Sequence, residues 1–159
     1  MSTHEMHIRE AVALAEANVE AGGAPYGAVI VRDGAVLVRA ANGVHATNDP
    51  SAHAEMVALR EASRLLGRRD LGDCVMYASG RPCPMCHAAM RLAGFKEGYF
   101  AFSAEEVESF GAGSATIYAE LCKPHAAQPM HISQLRPPGD SPYGAWKARR
   151  TRWRRPRPP

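Results

Sequence analysis

Two short clusters carry the chemistry of this sequence: His53-Ala54-Glu55 and Pro82-Cys83-Pro84-Met85-Cys86. One imidazole and two thiols make a three-ligand set for Zn²⁺, which takes N and S donors in a tetrahedron and, with three protein ligands, keeps a fourth position for water. Two thiolates balance the charge of the ion, and water at the open position becomes acidic near neutral pH. Glu55, two residues after His53, is better placed as a proton carrier than as a ligand, because a carboxylate beside such a water can take a proton and deliver it elsewhere. Alone, a Cys-x-x-Cys pair reads as a structural zinc or redox pair, and a His-x-Glu on a helix reads as surface. Together, with 28 positions from Glu55 to Cys83, they specify a hydrolytic zinc site. A non-catalytic zinc module is the alternative, and the intact Glu55 argues against it.

These residues need elements to hold them. Ser2-Thr3-His4-Glu5 has capping-box spacing, and Ile8, Ala11, Val12, Ala15 and Val19 continue a helical period to Gly22-Gly23. Tyr26 to Val31 and Ala35 to Ala40 read as strands joined by Asp33-Gly34, a strong hairpin signal. A second helix is expected to open near Asp49-Pro50 and to run through Val57, Ala58, Ala62 and Leu65 to Gly67. Asp73 to Ser79 reads as a third strand, Pro84 to Met90 as a helix ending at Gly94, and Tyr99 to Phe102 as a fourth strand. Ser103 to Glu106 repeats the capping-box spacing, Ala115 to Leu121 is helical, and Met130-His131-Ile132 is a candidate fifth strand. Strands alternating with helices imply an α/β fold: a three-layer α/β/α sandwich around a mixed five-stranded sheet. The two clusters then lie at helix N-termini that converge beside the sheet, where the positive helix ends favour thiolates.

Composition bounds the class. The 159 residues fit one domain with a real core, and no apolar run approaches the roughly 18 residues of a membrane span. No secretory leader is legible at the start, so a cytoplasmic setting is expected. Cys74 and Cys122 sit among apolar neighbours and read as buried thiols. Seven of the 19 Lys and Arg residues lie beyond residue 146 with no acid among them, which leaves a body of 12 basic and 16 acidic residues. A basic tail on an acidic body is not the basic face of a dedicated nucleic-acid binder. Residues 1–149 are read as the catalytic domain and 150–159 as a basic, disordered tail. His45, His87, His125 and His131 read as surface or satisfied core histidines.

The order His-x-Glu followed by Pro-Cys-x-x-Cys is the signature of zinc nucleobase deaminases. With Pro25-Tyr26-Gly27-Ala28-Val29-Ile30-Val31, Asn42, Asn48 to Glu55 and Ser141-Pro142-Tyr143-Gly144-Ala145-Trp146, it makes the chain resemble the cytidine-deaminase-like superfamily. The resemblance covers residues 5 to about 149 and runs toward the guanine deaminase and tRNA adenosine deaminase branch. It implies zinc held by His53, Cys83 and Cys86, Glu55 as the acid–base residue, and base contacts from Asn42, the backbone around Ala54, and Tyr26. It also implies a homodimer. Three features differ from the branch: Arg81, after Gly80 where guanine deaminases often have Cys, stands where Glu usually precedes Pro-Cys; Phe110 is followed by Gly111-Ala112-Gly113 rather than an acidic pair; and the final aromatic of the guanine deaminases is not evident before Arg157-Pro158-Pro159. The leading expectation is hydrolytic deamination of a free aminated base, guanine to xanthine first. A tRNA adenosine deaminase, or a deaminase of another small aminated heterocycle or nucleoside, stands beside it.

Overall fold

In the computed structural model, which describes residues 2–153 and side chains through residue 149, the first helix begins as the capping box requires. Ser2 Oγ accepts from Glu5 N at 3.2 Å, and Glu5 Oε2 accepts from Ser2 N at 2.7 Å, opening α1 over Thr3–Glu20. Strands β1 (Gly27–Arg32) and β2 (Ala35–Ala41) form an antiparallel hairpin. Its turn residues Asp33 and Gly34 have φ of 51° and 76°, the left-handed pair that matches the twist of the strands. β3 (Cys74–Gly80) pairs antiparallel with β1, and β4 (Glu97–Phe102) pairs parallel with β3. The sheet order is β2-β1-β3-β4.

Strand alternation separates two cores. Val29, Val31 and Tyr77 point to one face, where Ala11 of α1 packs. Ala28, Ile30 and Met76 point to the other, against Ala54, Ala58 and Ala62 of α3 (Ala54–Leu66). Gly27 permits the first of these contacts, because a Cβ there would lie 2.2 Å from the Ala11 carbonyl oxygen. Helix α4 (Pro84–Leu92) lies on the α3 side and contributes Met90 to that core. The sheet is mixed and carries helices on both faces, as expected.

Several boundaries differ from the sequence reading. A four-residue helix, α2 (Val44–Thr47), precedes the site. The next helix does not start at Asp49-Pro50. Asp49 Oδ1 instead accepts from Ser51 N and Oγ at 2.8 and 2.6 Å, so the Asp-Pro pair makes a side-chain-closed turn and α3 begins at Ala54. The sheet among the described residues has four strands, not five. Met130 and Ile132 are both exposed, so the triplet has no face to bury, and Pro129 before it lacks a ladder donor. Cys122 is exposed, whereas Cys74 is buried.

One compact unit runs to Pro124 and includes α5 (Ala104–Glu108) and α6 (Ala115–Leu121); a second begins at His125. The second unit contains a 3₁₀ turn over His125–Ala127 and helix α7 (Pro142–Trp153). Part of the basic tail, residues 154–159, lies outside the described residues. Among the described residues, no helix is long and apolar enough to cross a membrane.

Candidate metal centre and active site

The two clusters meet because each sits at the mouth of a helix. His53 is the N-cap of α3 and Cys83 the N-cap of α4, both with extended backbone, and Pro84 occupies the first turn of α4, where a missing N–H costs nothing. Cys86 follows one turn into α4. Cys83 Sγ lies 3.5 Å from His53 Nδ1, Cys86 Sγ lies 3.6 Å from His53 Nδ1, and the two sulfurs are 3.6 Å apart. The edges of a tetrahedral N,S,S zinc site, from bond lengths near 2.0–2.1 and 2.3 Å, are about 3.5–3.8 Å. The triangle therefore fits zinc, and these residues form the candidate group of metal ligands among the described residues.

The electrostatics follow from this crowding. The hydrogen bond from Cys86, joined by one from His53, holds the Cys83 thiol well below the usual thiol range. Cys86 is pushed up by its hydrogen bond to Cys83, by burial, and by the charges of Glu55 and Cys83. His53 is raised chiefly by its hydrogen bond to Cys83. Without a cation, the cluster gives up one proton readily and resists losing a second. A divalent ion removes that resistance, because a coordinating thiol is deprotonated outright.

Glu55 is 6% exposed and sits in the first turn of α3, with Oε2 3.5 Å from Cys86 Sγ. Burial raises its pKa above the ordinary carboxylate range, and the Cys83 charge adds to that; its own backbone N–H and Cys86 oppose it. A buried carboxyl whose pKa is raised is a better proton acceptor and donor partner than an ordinary surface carboxylate.

A cavity of about 460 Å³ opens over this group. His53, Glu55 and Cys83 line it, with Tyr26 and Asn42 on its walls. The Asn42 side chain is oriented by its Oδ1, which accepts from Val44 N at 3.1 Å, so its Nδ2 is left as a donor for a ligand. Tyr26 donates its hydroxyl to the Ala112 carbonyl and so ties the α5–α6 loop across the cavity. Ala54 is fully buried, and its side chain packs in the core. Sequence reasoning missed His45 on α2, which lines the cavity, and Tyr118 on α6, whose hydroxyl donates to the Pro82 carbonyl at 2.7 Å. A four-residue helix and a lone tyrosine leave no signal in a single sequence.

Comparison with known proteins agrees with this geometry. Residues 1–102 match the family model described as the cytidine and deoxycytidylate deaminase zinc-binding region. The guanine deaminase of Bacillus subtilis is 40% identical over 146 residues, 91% of this chain and 94% of that protein. Its X-ray structure superimposes with a TM-score of 0.87 at 39% identity, covering 93% of this chain and 95% of that one. The tRNA-specific adenosine deaminase of Aquifex aeolicus is 42% identical over 91 residues, 56% of this chain and 60% of its own length. A guanine deaminase structure from Nitrosomonas europaea aligns with a TM-score of 0.65 at 27% identity, covering 69% of this chain and 64% of that one. The chain belongs to the cytidine and deoxycytidylate deaminase zinc-binding family, with a candidate zinc site at His53, Cys83 and Cys86.

Proposed function

We propose that this deaminase acts on free guanine, releasing ammonia and xanthine. The observation that carries the reading is the likeness to a guanine deaminase over nine-tenths of both chains, C-terminal segment included. The likeness to tRNA-specific adenosine deaminase spans 56% of the chain, and the acidic body gives RNA little to bind. That activity is the second reading, favoured only by the basic residues after 146.

In this reading His53, Cys83 and Cys86 would hold zinc, which would supply an acidified water as the nucleophile. The chain's own residues do the rest. Asn42 Nδ2 donates to an acceptor of the base, and Tyr26 bounds the pocket that excludes bulk water. Glu55 takes the proton released as the C–O bond forms at the amine-bearing ring carbon and delivers it to the adjacent ring nitrogen. It then takes the proton of the new hydroxyl and passes it to the amine, so that the C–N bond breaks, the carbonyl forms and ammonia departs. One buried carboxyl with a raised pKa serves both transfers.

We assign residues 1–149 to the catalytic domain, the protein to a homodimer, and its setting to the cytosol, where the thiols stay reduced. Ammonia release from guanine, adenine, cytosine, guanosine and tRNA, measured on zinc-loaded protein, tests the function. Guanine as the preferred substrate supports it. Turnover of adenosine in tRNA with none of guanine would overturn it in favour of the second reading.

A further inference from the structure

Cys83 sits in a gap between two runs of backbone hydrogen bonds. Pro82 and Pro84 flank it, and neither has an N–H to give. The β3–β4 ladder stops just before it, at the bond from Arg81 N to the Phe102 carbonyl, 2.9 Å. Helix α4 takes over at the Cys83 carbonyl, which accepts from His87 N at 2.9 Å. Cys86 differs, because it lies within α4 and the helix fixes its backbone. What holds the peptide leading into Cys83 must therefore reach it from elsewhere, through the Pro82 carbonyl.

Tyr118 of α6 does so. Its hydroxyl donates to the Pro82 carbonyl at 2.7 Å and lies 3.4 Å from His87 Nδ1. One oxygen thus touches the residue before Cys83 and a residue one turn after it. The ring is partly buried, with the Arg81 guanidinium carbon 4.7 Å from its centroid. The Pro82–Cys83 peptide is a rigid plane, so fixing its oxygen fixes its rotation. That rotation sets the direction in which Cys83 Cβ and Sγ leave the backbone. The sulfur keeps its 3.5 Å from His53 Nδ1 and 3.6 Å from Cys86 Sγ only while that direction holds. We propose that Tyr118 is a positioning residue for the metal centre, aiming the Cys83 sulfur through the Pro82 carbonyl at the point it shares with His53 and Cys86. This rests on the reading of Cys83 as a zinc ligand. Because Ser114 and Ile117 beside it line the cavity, the segment that bounds the cavity also braces the metal ligand.

Tyr118→Phe tests it, since the variant loses the hydroxyl and keeps the ring beside Arg81. Zinc affinity is measured by competition with a chromophoric chelator. The cobalt-substituted protein reports ligand geometry through its sulfur-to-metal charge-transfer and ligand-field absorption. Tyr118→Phe should bind zinc about 10–100-fold more weakly, the range for partners that orient a metal ligand, and its cobalt bands should shift and weaken. Tyr99→Phe removes a hydroxyl bonded to Glu97 on β4 and should change neither reading. An unchanged affinity or an unchanged cobalt spectrum in Tyr118→Phe overturns the proposal, and a lower thermal midpoint beside either marks packing alone. Equal losses in Tyr99→Phe overturn it as well. Cys83→Ala separates the two claims. A charge-transfer band undiminished in Cys83→Ala removes the zinc reading of Cys83 and the proposal with it. A band diminished in Cys83→Ala but intact in Tyr118→Phe removes only the proposal.

Discussion

Cys86 Sγ lies 3.5 Å from Glu55 Oε2, a contact between residues 31 positions apart. It joins the carboxyl proposed to move protons to a candidate metal-ligand position through two helix N-termini rather than through a loop. The placement is therefore set by how α3 and α4 pack on the sheet, and changes that loosen the packing should weaken chemistry as well as stability.

On the opposite face of the sheet, Gly27 marks the close approach of α1. A Cβ there would meet the Ala11 carbonyl oxygen at 2.2 Å and Ala15 N at 2.8 Å, both backbone atoms that cannot swing aside. Gly27→Ala should cost roughly 1–3 kcal/mol, the range for overpacking a core, read as a lower urea midpoint. An unchanged midpoint would show that α1 shifts on the sheet freely.

Asn42 tests the substrate pocket. Its Oδ1 is occupied by Val44 N, and Nδ2 is the donor proposed to meet a base. Asn42→Ala should raise KM and also lower kcat, because a loosely held base misaligns the reacting carbon. A purely lower kcat at unchanged KM would place Asn42 outside base binding.

Asp73 gives the pH dependence. Both its oxygens accept from Arg68 at 2.6 Å, and Arg32 pairs with it at 2.9 Å. Its carboxyl is held down to about 2, first by the Arg68 hydrogen bond. A carboxylate with a lower pKa in the folded than in the unfolded chain adds stability above the unfolded value, near ~3.9. That contribution is lost as pH falls toward the folded value. Asp73→Asn should therefore be less stable at neutral pH, with the difference narrowing as pH drops from about 4 toward about 2. A difference independent of pH would contradict the linkage.

The C-terminal segment is tested by truncation. α7 carries Tyr143 and Trp146, and ending the chain after Leu135 should impair catalysis, whereas ending it after Arg150 should not. Light scattering should find a dimer. Loss of activity on removing only residues 151–159, with steep salt dependence of substrate binding, would move the tRNA reading ahead.

Much of this site was legible because its signals are local. Capping boxes at Ser2 and Ser103, the Asp33-Gly34 turn, and Pro84 after Cys83 are each decided within four residues, and each is present. The same local rule misled at Asp49-Pro50, where the Asp side chain closed on Ser51 instead of capping a helix. Met130-His131-Ile132 failed for a non-local reason. A three-residue strand exists only if something buries its face, and both apolar side chains stay exposed. The cation over Tyr118 was out of reach, since residues 81 and 118 are brought together only by the chain between them.

If His53, Cys83 and Cys86 hold zinc while Glu55 moves protons, one set of preparations shows both. Elemental analysis and ammonia release are measured together on the unmodified protein, Glu55→Gln, Cys83→Ala and Cys86→Ala. The unmodified protein should contain about one zinc per chain, and either cysteine variant should lose metal and activity together. Glu55→Gln should keep its zinc and its thermal midpoint while losing at least about 10²-fold in rate, the lower range for a proton-transfer residue. Normal turnover by Glu55→Gln, or full activity in protein that holds iron or no metal, would contradict the account.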